Sequence, residues 1–119
     1  MYQIVFLPHF KKQLKPFAKK YNNFKEDLLF VLKNFNKEHS QHIGKVMYKI
    51  RFKPKSFSKG KSGAFRVILL LVEVEKDIVP VHVYFKGEKS NVKEGELVVH
   101  LNKILLELRS IKQIDESGL

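Results

Sequence analysis

The chain has 119 residues, of which 44% are hydrophobic and 12% aromatic, and its 23 lysines and arginines against 12 acidic residues give a net charge of +11. This composition is too apolar for a disordered chain, and the longest apolar run, Val67 to Val72, is far shorter than the ~20 residues of a membrane-spanning helix. The absence of cysteine excludes disulfides, thiolate metal sites and cysteine nucleophiles. We expect one globular domain over residues 1–119.

The N-terminal third predicts a strand followed by a two-helix hairpin. Tyr2 to Leu7 is a short apolar run, closed by Pro8, that fits a buried strand better than a signal peptide, so we expect a cytoplasmic protein. Two stripes of apolar residues at helical spacing follow and predict two helices. Pro16 is expected to kink or break the first of them. The polar stretch 36–44 then predicts a loop. The stripes are Phe10, Leu14, Phe17, Ala18 and Tyr21, then Phe24, Leu28, Val31, Leu32 and Phe35.

The apolar period changes from helical to alternating at Val46. Val46 to Phe52 predicts a strand, and alternation places Lys49 and Arg51 together on one of its faces. Residues 53–63 contain several lysines with proline and glycine, which predicts a basic loop. Phe65 to Val74 is almost wholly apolar, which is typical of a strand at the centre of a sheet.

The C-terminal part predicts one more strand and a final helix. On Ile78 to Phe85 the alternation gives His82 and Tyr84 a face that they share with Lys86. Asn91 and Glu94 resemble a capping box, and apolar residues then repeat at helical spacing to about Lys112, with 113–119 as a frayed tail. The sequence therefore predicts an α+β domain made of an N-terminal strand, a two-helix hairpin, a small antiparallel sheet and a C-terminal helix.

Acidic residues are missing from a long central part of the chain. None occurs between Glu38 and Glu73. A segment with one sign of charge produces a local positive field, which favours an anionic partner, and RNA is the leading candidate. The cations of this segment are Lys45, Lys49, Arg51, Lys53, Lys55, Lys59, Lys61 and Arg66.

Three strings within residues 48–91 resemble a known family. They are Lys49-Ile50-Arg51, Gly60-Lys61-Ser62-Gly63-Ala64-Phe65-Arg66-Val67-Ile68 and Val83-Tyr84-Phe85-Lys86-Gly87-Glu88-Lys89-Ser90-Asn91. With them, the chain resembles the RelE/ParE superfamily of toxin–antitoxin toxins, and it is most like the HigB branch. The predicted order of elements is similar as well.

The resemblance implies a RelE-like fold and a toxin that cleaves messenger RNA on the translating ribosome, so that translation is inhibited. It implies an endoribonuclease without a metal or cofactor, held inactive by a cognate antitoxin protein. Lys49 and Arg51 match the family's pair of strand cations, and Arg66 matches the arginine that follows its glycine loop. Lys86 matches a lysine that HigB-like members carry after the tyrosine of the next strand.

The residues also suggest a chemistry of their own. RNA carries its own nucleophile, the ribose 2′-hydroxyl, so cleavage needs a base, an acid and cations around the phosphate. Neighbouring cations lower the pKa of a lysine, which makes Lys49 or Lys86 a candidate base, with His82 as another, while Arg66 would bind the phosphate. Further RNA contacts are expected from Lys45, Lys53, Lys55, Phe57, Lys59, Lys61, Tyr84 and Lys89.

Two other functions stay open from the sequence. A ParE-like inhibitor of DNA gyrase would cleave nothing, and a non-catalytic basic module would only bind RNA. RelE proper has an arginine at the place of Gly87 and a C-terminal tyrosine that has no counterpart after Tyr84. These two differences leave the non-catalytic binding module open as an alternative. Lys55 stands where a P-loop needs glycine, which excludes that motif. His39 and His42 lie in a polar segment, and no metal site is predicted there.

Overall fold

The computed structural model describes residues 2–55, 64–87, 89 and 91–117, with the backbone alone for 112–117. It forms an α+β domain, as predicted, with three α-helices and a five-stranded sheet. In chain order the elements are β1 (Gln3–Ile4), α1 (Pro8–Lys20), α2 (Phe24–Lys33), a 3-10 helix (Lys37–His39), β2 (Gln41–His42), β3 (Met47–Phe52), β4 (Phe65–Val72), β5 (Asp77–Phe85) and α3 (Glu94–Ser117).

The strand order is β1-β5-β4-β3-β2, so β4 lies at the centre, as its apolar sequence predicts. The expectation of an antiparallel sheet is wrong for β1, which pairs in parallel with β5 and makes the sheet mixed. The amide of Gln3 donates to the carbonyl of Lys76 at 2.8 Å, and that of Val5 donates to Ile78 at 2.9 Å. Because most of the chain separates β1 from β5, local pattern does not determine the direction of this pairing.

The segment before β3 differs from its predicted form. The first strand is limited to Gln3–Ile4, and the predicted loop 36–44 contains both the 3-10 helix and β2. The expected break at Pro16 is absent, since α1 is continuous from Pro8 to Lys20. Pro16 is exposed, and burial of Phe10 and Leu14 on the other side of the helix offsets its missing hydrogen bond.

The main core lies between the sheet and the helical hairpin. Phe24 of α2 contacts Phe52 at 5.2 Å and Phe65 at 5.0 Å between ring centroids, both edge-on. Phe17 of α1 meets the same Phe65 ring at 4.9 Å. Edge-to-face contacts of this kind add to the free energy of burial, so this aromatic cluster fixes the hairpin on one face of the sheet.

Helix α3 is longer than predicted, because it includes most of the expected tail and ends at Ser117. The predicted capping box is also wrong, because the side chain of Asn91 makes different contacts. The Oδ1 atom of Asn91 accepts from the backbone amide of Val92 at 3.0 Å and from Nζ of Lys49 at 3.2 Å. Asn91 therefore ties the start of the α3 region to β3.

Replacing Pro16 with alanine should stabilise the protein. Proline is about 3 kcal/mol less favourable than alanine inside a helix. Proline also reduces the conformational entropy of the unfolded chain, which stabilises the folded state by up to about 1 kcal/mol. We expect a rise in the free energy of unfolding of roughly 1–2 kcal/mol for Pro16→Ala, measured by urea denaturation. The control Lys12→Ala, also exposed on α1, should stay within about 0.5 kcal/mol of the wild type. An unchanged or lower stability in Pro16→Ala would contradict this account of α1.

Candidate functional site

The register of the three long strands collects the predicted cations on one face of the sheet. Arg51 of β3 is opposite Arg66 of β4, and Arg66 is opposite Tyr84 of β5. The neighbouring row contains Lys49, Ile68 and His82. Residues directly opposite in an antiparallel pair project to the same side, so the two rows place Lys49, Arg51 and Arg66 together, as predicted.

A groove of about 500 Å³ lies between this part of the sheet, the end of α2 and the 3-10 helix. Its size falls within the roughly 300–1,000 Å³ of small-ligand sites, which is sufficient for a nucleotide. Among the described residues that line it, none is acidic, and the groove therefore has a positive field. Its lining is Val31, Asn34, Phe35, Asn36, His39, Ser40, Gln41, Lys49, Ile50, Arg51 and Arg66.

Lys49 is half-buried on the wall of this groove. Burial holds the pKa of its amine below the ordinary value of 10.5, and the positive charges of Arg66 and Lys86 lower it further. Both causes disfavour the ammonium form. The side chain thus combines a hydrogen bond to Asn91 with a greater tendency to be neutral, as a proton acceptor requires.

Lys86 and Arg66, whose charges act on Lys49, face solvent to different degrees. Lys86 is exposed just beyond β5, and its backbone amide donates to the carbonyl of Ala64 at 2.9 Å. Arg66 is half-buried, and one guanidinium nitrogen donates to the carbonyl of Phe65 at 3.4 Å. Lys86 is therefore fixed by its backbone beside the start of β4, where Arg66 lies.

His82 and Tyr84 share the cationic face but are buried, at 6% and 4% exposed. Burial chiefly lowers the pKa of His82, to about 4, with a smaller contribution from His100. Burial also raises the pKa of the Tyr84 phenol. Both side chains are therefore neutral near pH 7, and they pack inside the domain rather than at the surface.

The Nδ1 atom of His82 lies 2.6 Å from Oε1 of Gln13, a contact that sequence reasoning did not anticipate. It joins β5 to α1.

The remaining predicted RNA contacts are dispersed. Lys45 precedes β3 and Lys53 and Lys55 follow it, so they lie beyond opposite ends of the strand, and all three are exposed. The backbone amide of Lys55 donates to Oδ2 of Asp27 at 2.9 Å. Lys89 forms an ion pair with Glu96. Phe57, Lys59 and Lys61 lie outside the described residues.

Gly87 lies just beyond the end of β5 and is exposed. A Cβ atom at Gly87 would collide with the ring of Phe85, which packs against Phe65 with 5.0 Å between ring centroids. A side chain at this position would therefore require the Phe85 ring to move.

Two contributions to the site were not found from the sequence. The sequence predicts Asn91 as a helix cap, whereas its contact with Lys49 joins residues that are 42 positions apart in the chain. The polar wall of the groove comes from residues 34–41, for part of which the sequence predicts only a loop. The abundance of asparagine, histidine and serine there was the available signal, but such residues are equally typical of turns.

No protein-family model matches the chain, and no curated protein matches it. Among the described residues, none of the helices is both long and apolar enough to cross a membrane.

The environment of Lys49 gives a prediction that is independent of function. Arg66→Gln and Lys86→Met should each raise the pKa of Lys49, because each removes a nearby positive charge, and Arg66→Gln should have the larger effect. NMR titration of lysine labelled at Nζ measures this directly. The control Lys76→Met, in the turn at the far end of β4, should leave the pKa unchanged. A pKa of Lys49 that is unaffected by both test substitutions would contradict the proposed coupling.

Proposed function

We propose that this chain is a RelE/ParE-superfamily toxin, most like the HigB branch, with a RelE-like fold, and that it cleaves messenger RNA on the ribosome without a metal. The observation that carries the proposal is the meeting of Lys49, Arg51 and Arg66 in one groove that has no acidic lining residue among those described. Their positions match the cations that the resemblance assigns to the active site. The order of helices and strands supports the same proposal.

In the proposed reaction the ribose 2′-oxygen attacks the adjacent phosphorus. A new O2′–P bond forms and the P–O5′ bond breaks, leaving a 2′,3′-cyclic phosphate and a 5′-hydroxyl. The base takes the 2′-hydroxyl proton and the acid protonates the leaving 5′-oxygen. Arg66 and Arg51 stabilise the charge that develops on the phosphate oxygens, because guanidinium groups match phosphate geometry.

Of the candidate bases, Lys49 is best supported. Its pKa is lowered and it lines the groove, whereas His82 is buried and hydrogen-bonded to Gln13. Lys86 is exposed beside the same cations and can supply a proton to the leaving oxygen. This division gives the two lysines opposite roles that substitutions can separate.

The proposed protein partner is an acidic antitoxin. A domain of net charge +11 is complemented by an acidic segment, and charge complementarity favours both fast association and specificity. Helix α3 also exposes apolar side chains to solvent, among them Val98, Val99 and Leu106 at 47%, 54% and 59%. An antitoxin segment lying along α3 and over the cationic face would cover both features.

Arg66→Ala should abolish ribosome-dependent cleavage and growth arrest. Loss of a group that stabilises transition-state charge costs on the order of 10²- to 10³-fold in rate. Reverse-transcription mapping of cleaved messenger RNA measures it, and products should end in a 2′,3′-cyclic phosphate with EDTA present. Full activity of a folded Arg66→Ala protein would contradict the proposed mechanism. Gyrase inhibition by wild type without RNA cleavage would instead favour the ParE-like alternative.

Substitution of Lys49 by arginine distinguishes proton transfer from phosphate binding. Arginine keeps the charge but stays protonated, so Lys49→Arg should lose as much activity as Lys49→Met, on the order of 10²-fold, if Lys49 is the base. Lys53→Arg is the control for the same change at an exposed strand-end position. Nearly full activity in Lys49→Arg would leave Lys49 as a phosphate ligand only.

The basic loop should control the salt dependence of RNA binding. Each lost phosphate contact lowers the slope of log affinity against log salt by about 0.7 for single strands, so replacing Lys55, Lys59 and Lys61 with glutamine should lower it by up to about 2. The matched control replaces Lys11, Lys15 and Lys19, which are exposed on α1 and do not line the groove, and changes net charge equally. Equal slopes for the two triple variants would show that the loop does not contact RNA.

A further inference from the structure

Three side chains with metal-binding atoms meet where β5 packs against α3. They are His82 from the strand and Glu96 and His100 from the helix, and one ligand atom of each lies within 4.8 Å of the others. Glu96 and His100 are four residues apart, which places them on the same face of α3. Two imidazoles and a carboxylate form a donor set that is common in zinc sites with an open fourth position.

The tautomer of His82 is fixed by Gln13. Oε1 of Gln13 accepts from the backbone amide of Val83 at 3.2 Å, and Nε2 of Gln13 donates to the carbonyl of Val81 at 2.9 Å. Oε1 is thus an acceptor, so the Nδ1 atom of His82 at 2.6 Å must be the donor. The proton lies on Nδ1, and the lone pair lies on Nε2.

That lone pair has no partner in the described part of the chain. Nε2 of His82 is fully buried without a hydrogen bond, and it lies 3.9 Å from Oε2 of Glu96. The His82 side chain is only 7% exposed. Leaving a buried polar atom unpaired costs about 1–3 kcal/mol, so an electron-pair acceptor at this point would stabilise the fold.

His100 also has one ring nitrogen in contact with an outer group. Its Nδ1 lies 2.8 Å from Nε2 of His9, and with Nδ1 as the donor in this contact the Nε2 atom of His100 has a lone pair that can bind a cation. The backbone amide of His9 in turn donates to the carboxylate of Glu107 at 3.0 Å and 3.1 Å. Histidines that bind metals usually have their second nitrogen held by an outer group, and Gln13 and His9 supply two such groups.

We propose that His82, Glu96 and His100 bind one divalent transition-metal ion, Zn²⁺ being the ion that suits two imidazoles and a carboxylate. The site is distinct from the groove cations and stands whether or not the chain cleaves RNA. It holds β5 to α3, so its role is structural, with Gln13 and His9 as outer groups that connect it to α1.

Binding requires two local changes. The His82 and His100 rings stack with 4.0 Å between centroids and 18° between planes, so they must turn for both lone pairs to meet at one ion. The ammonium of Lys89 pairs with the carboxylate of Glu96, and it must move away for the carboxylate to bind a metal ion. Lys89 is therefore a competitor of the metal, and its removal should favour binding.

Cobalt(II) titration of the full-length, untagged, metal-free protein tests the site, because Co²⁺ in such a ligand set gives visible absorption bands. We expect saturable binding of one ion per chain and displacement by Zn²⁺. His100→Gln and Glu96→Gln should each weaken binding by at least about 10- to 100-fold, the loss typical of outer ligands. Lys89→Met should strengthen it several-fold. Zn²⁺ should raise the melting temperature of the wild type, and EDTA should reverse the rise.

The control is the double variant His39→Gln, His42→Gln, which removes two other histidines outside the cluster and should bind Co²⁺ like the wild type. Glu96 is partly exposed, so Glu96→Gln should fold, and circular dichroism checks this. Absence of saturable binding in the wild type would overturn the proposal. So would wild-type affinity in folded Glu96→Gln and His100→Gln, or loss of binding only in the His39, His42 variant.

Discussion

The register between β3, β4 and β5 is the constraint on which the site depends. Because Arg66 is opposite Arg51 on one side and Tyr84 on the other, a shift of one residue would turn Arg66 toward the aromatic core. The burial of Phe65 by Phe24 and Phe17 prevents that shift, since a slip would expose the ring. The hydrophobic core on one face of the sheet thereby sets the position of the charges on the other.

Positive charges that lie close together repel one another, and this repulsion acts on Lys49. Arg66 and Lys86 act on Lys49, and burial adds to the effect, so the ammonium of Lys49 is the form that is disfavoured. Binding of a phosphate group would relieve this repulsion. The same physical arrangement therefore favours an anionic partner and makes Lys49 a better proton acceptor, which is why the two properties occur together.

The polar junction between β5 and α3 lies next to an irregularity in the strand. The pairing of β5 with β4 shifts between Ile68 and Leu69, which are opposite His82 and Pro80. Val81 is thus the extra residue of a bulge, next to a proline that has no amide for the ladder. Close to the bulge, the Val81 carbonyl and the Val83 amide form hydrogen bonds with Gln13, and Gln13 in turn orients His82. The strand that completes the cationic face also carries His82, one of the three residues of the cluster.

The sequence by itself determined the elements with strong periodicity and the sharing of faces within a strand. The central position of β4, the helical hairpin and the pairing of Lys49 with Arg51 on one face follow from local alternation and apolar content, which act over a few residues. Only the tertiary structure decided the parallel direction of β1, the role of Asn91 and the meeting of His82 with Glu96 and His100. These depend on contacts between distant segments, where burial and hydrogen bonding in three dimensions override local preference.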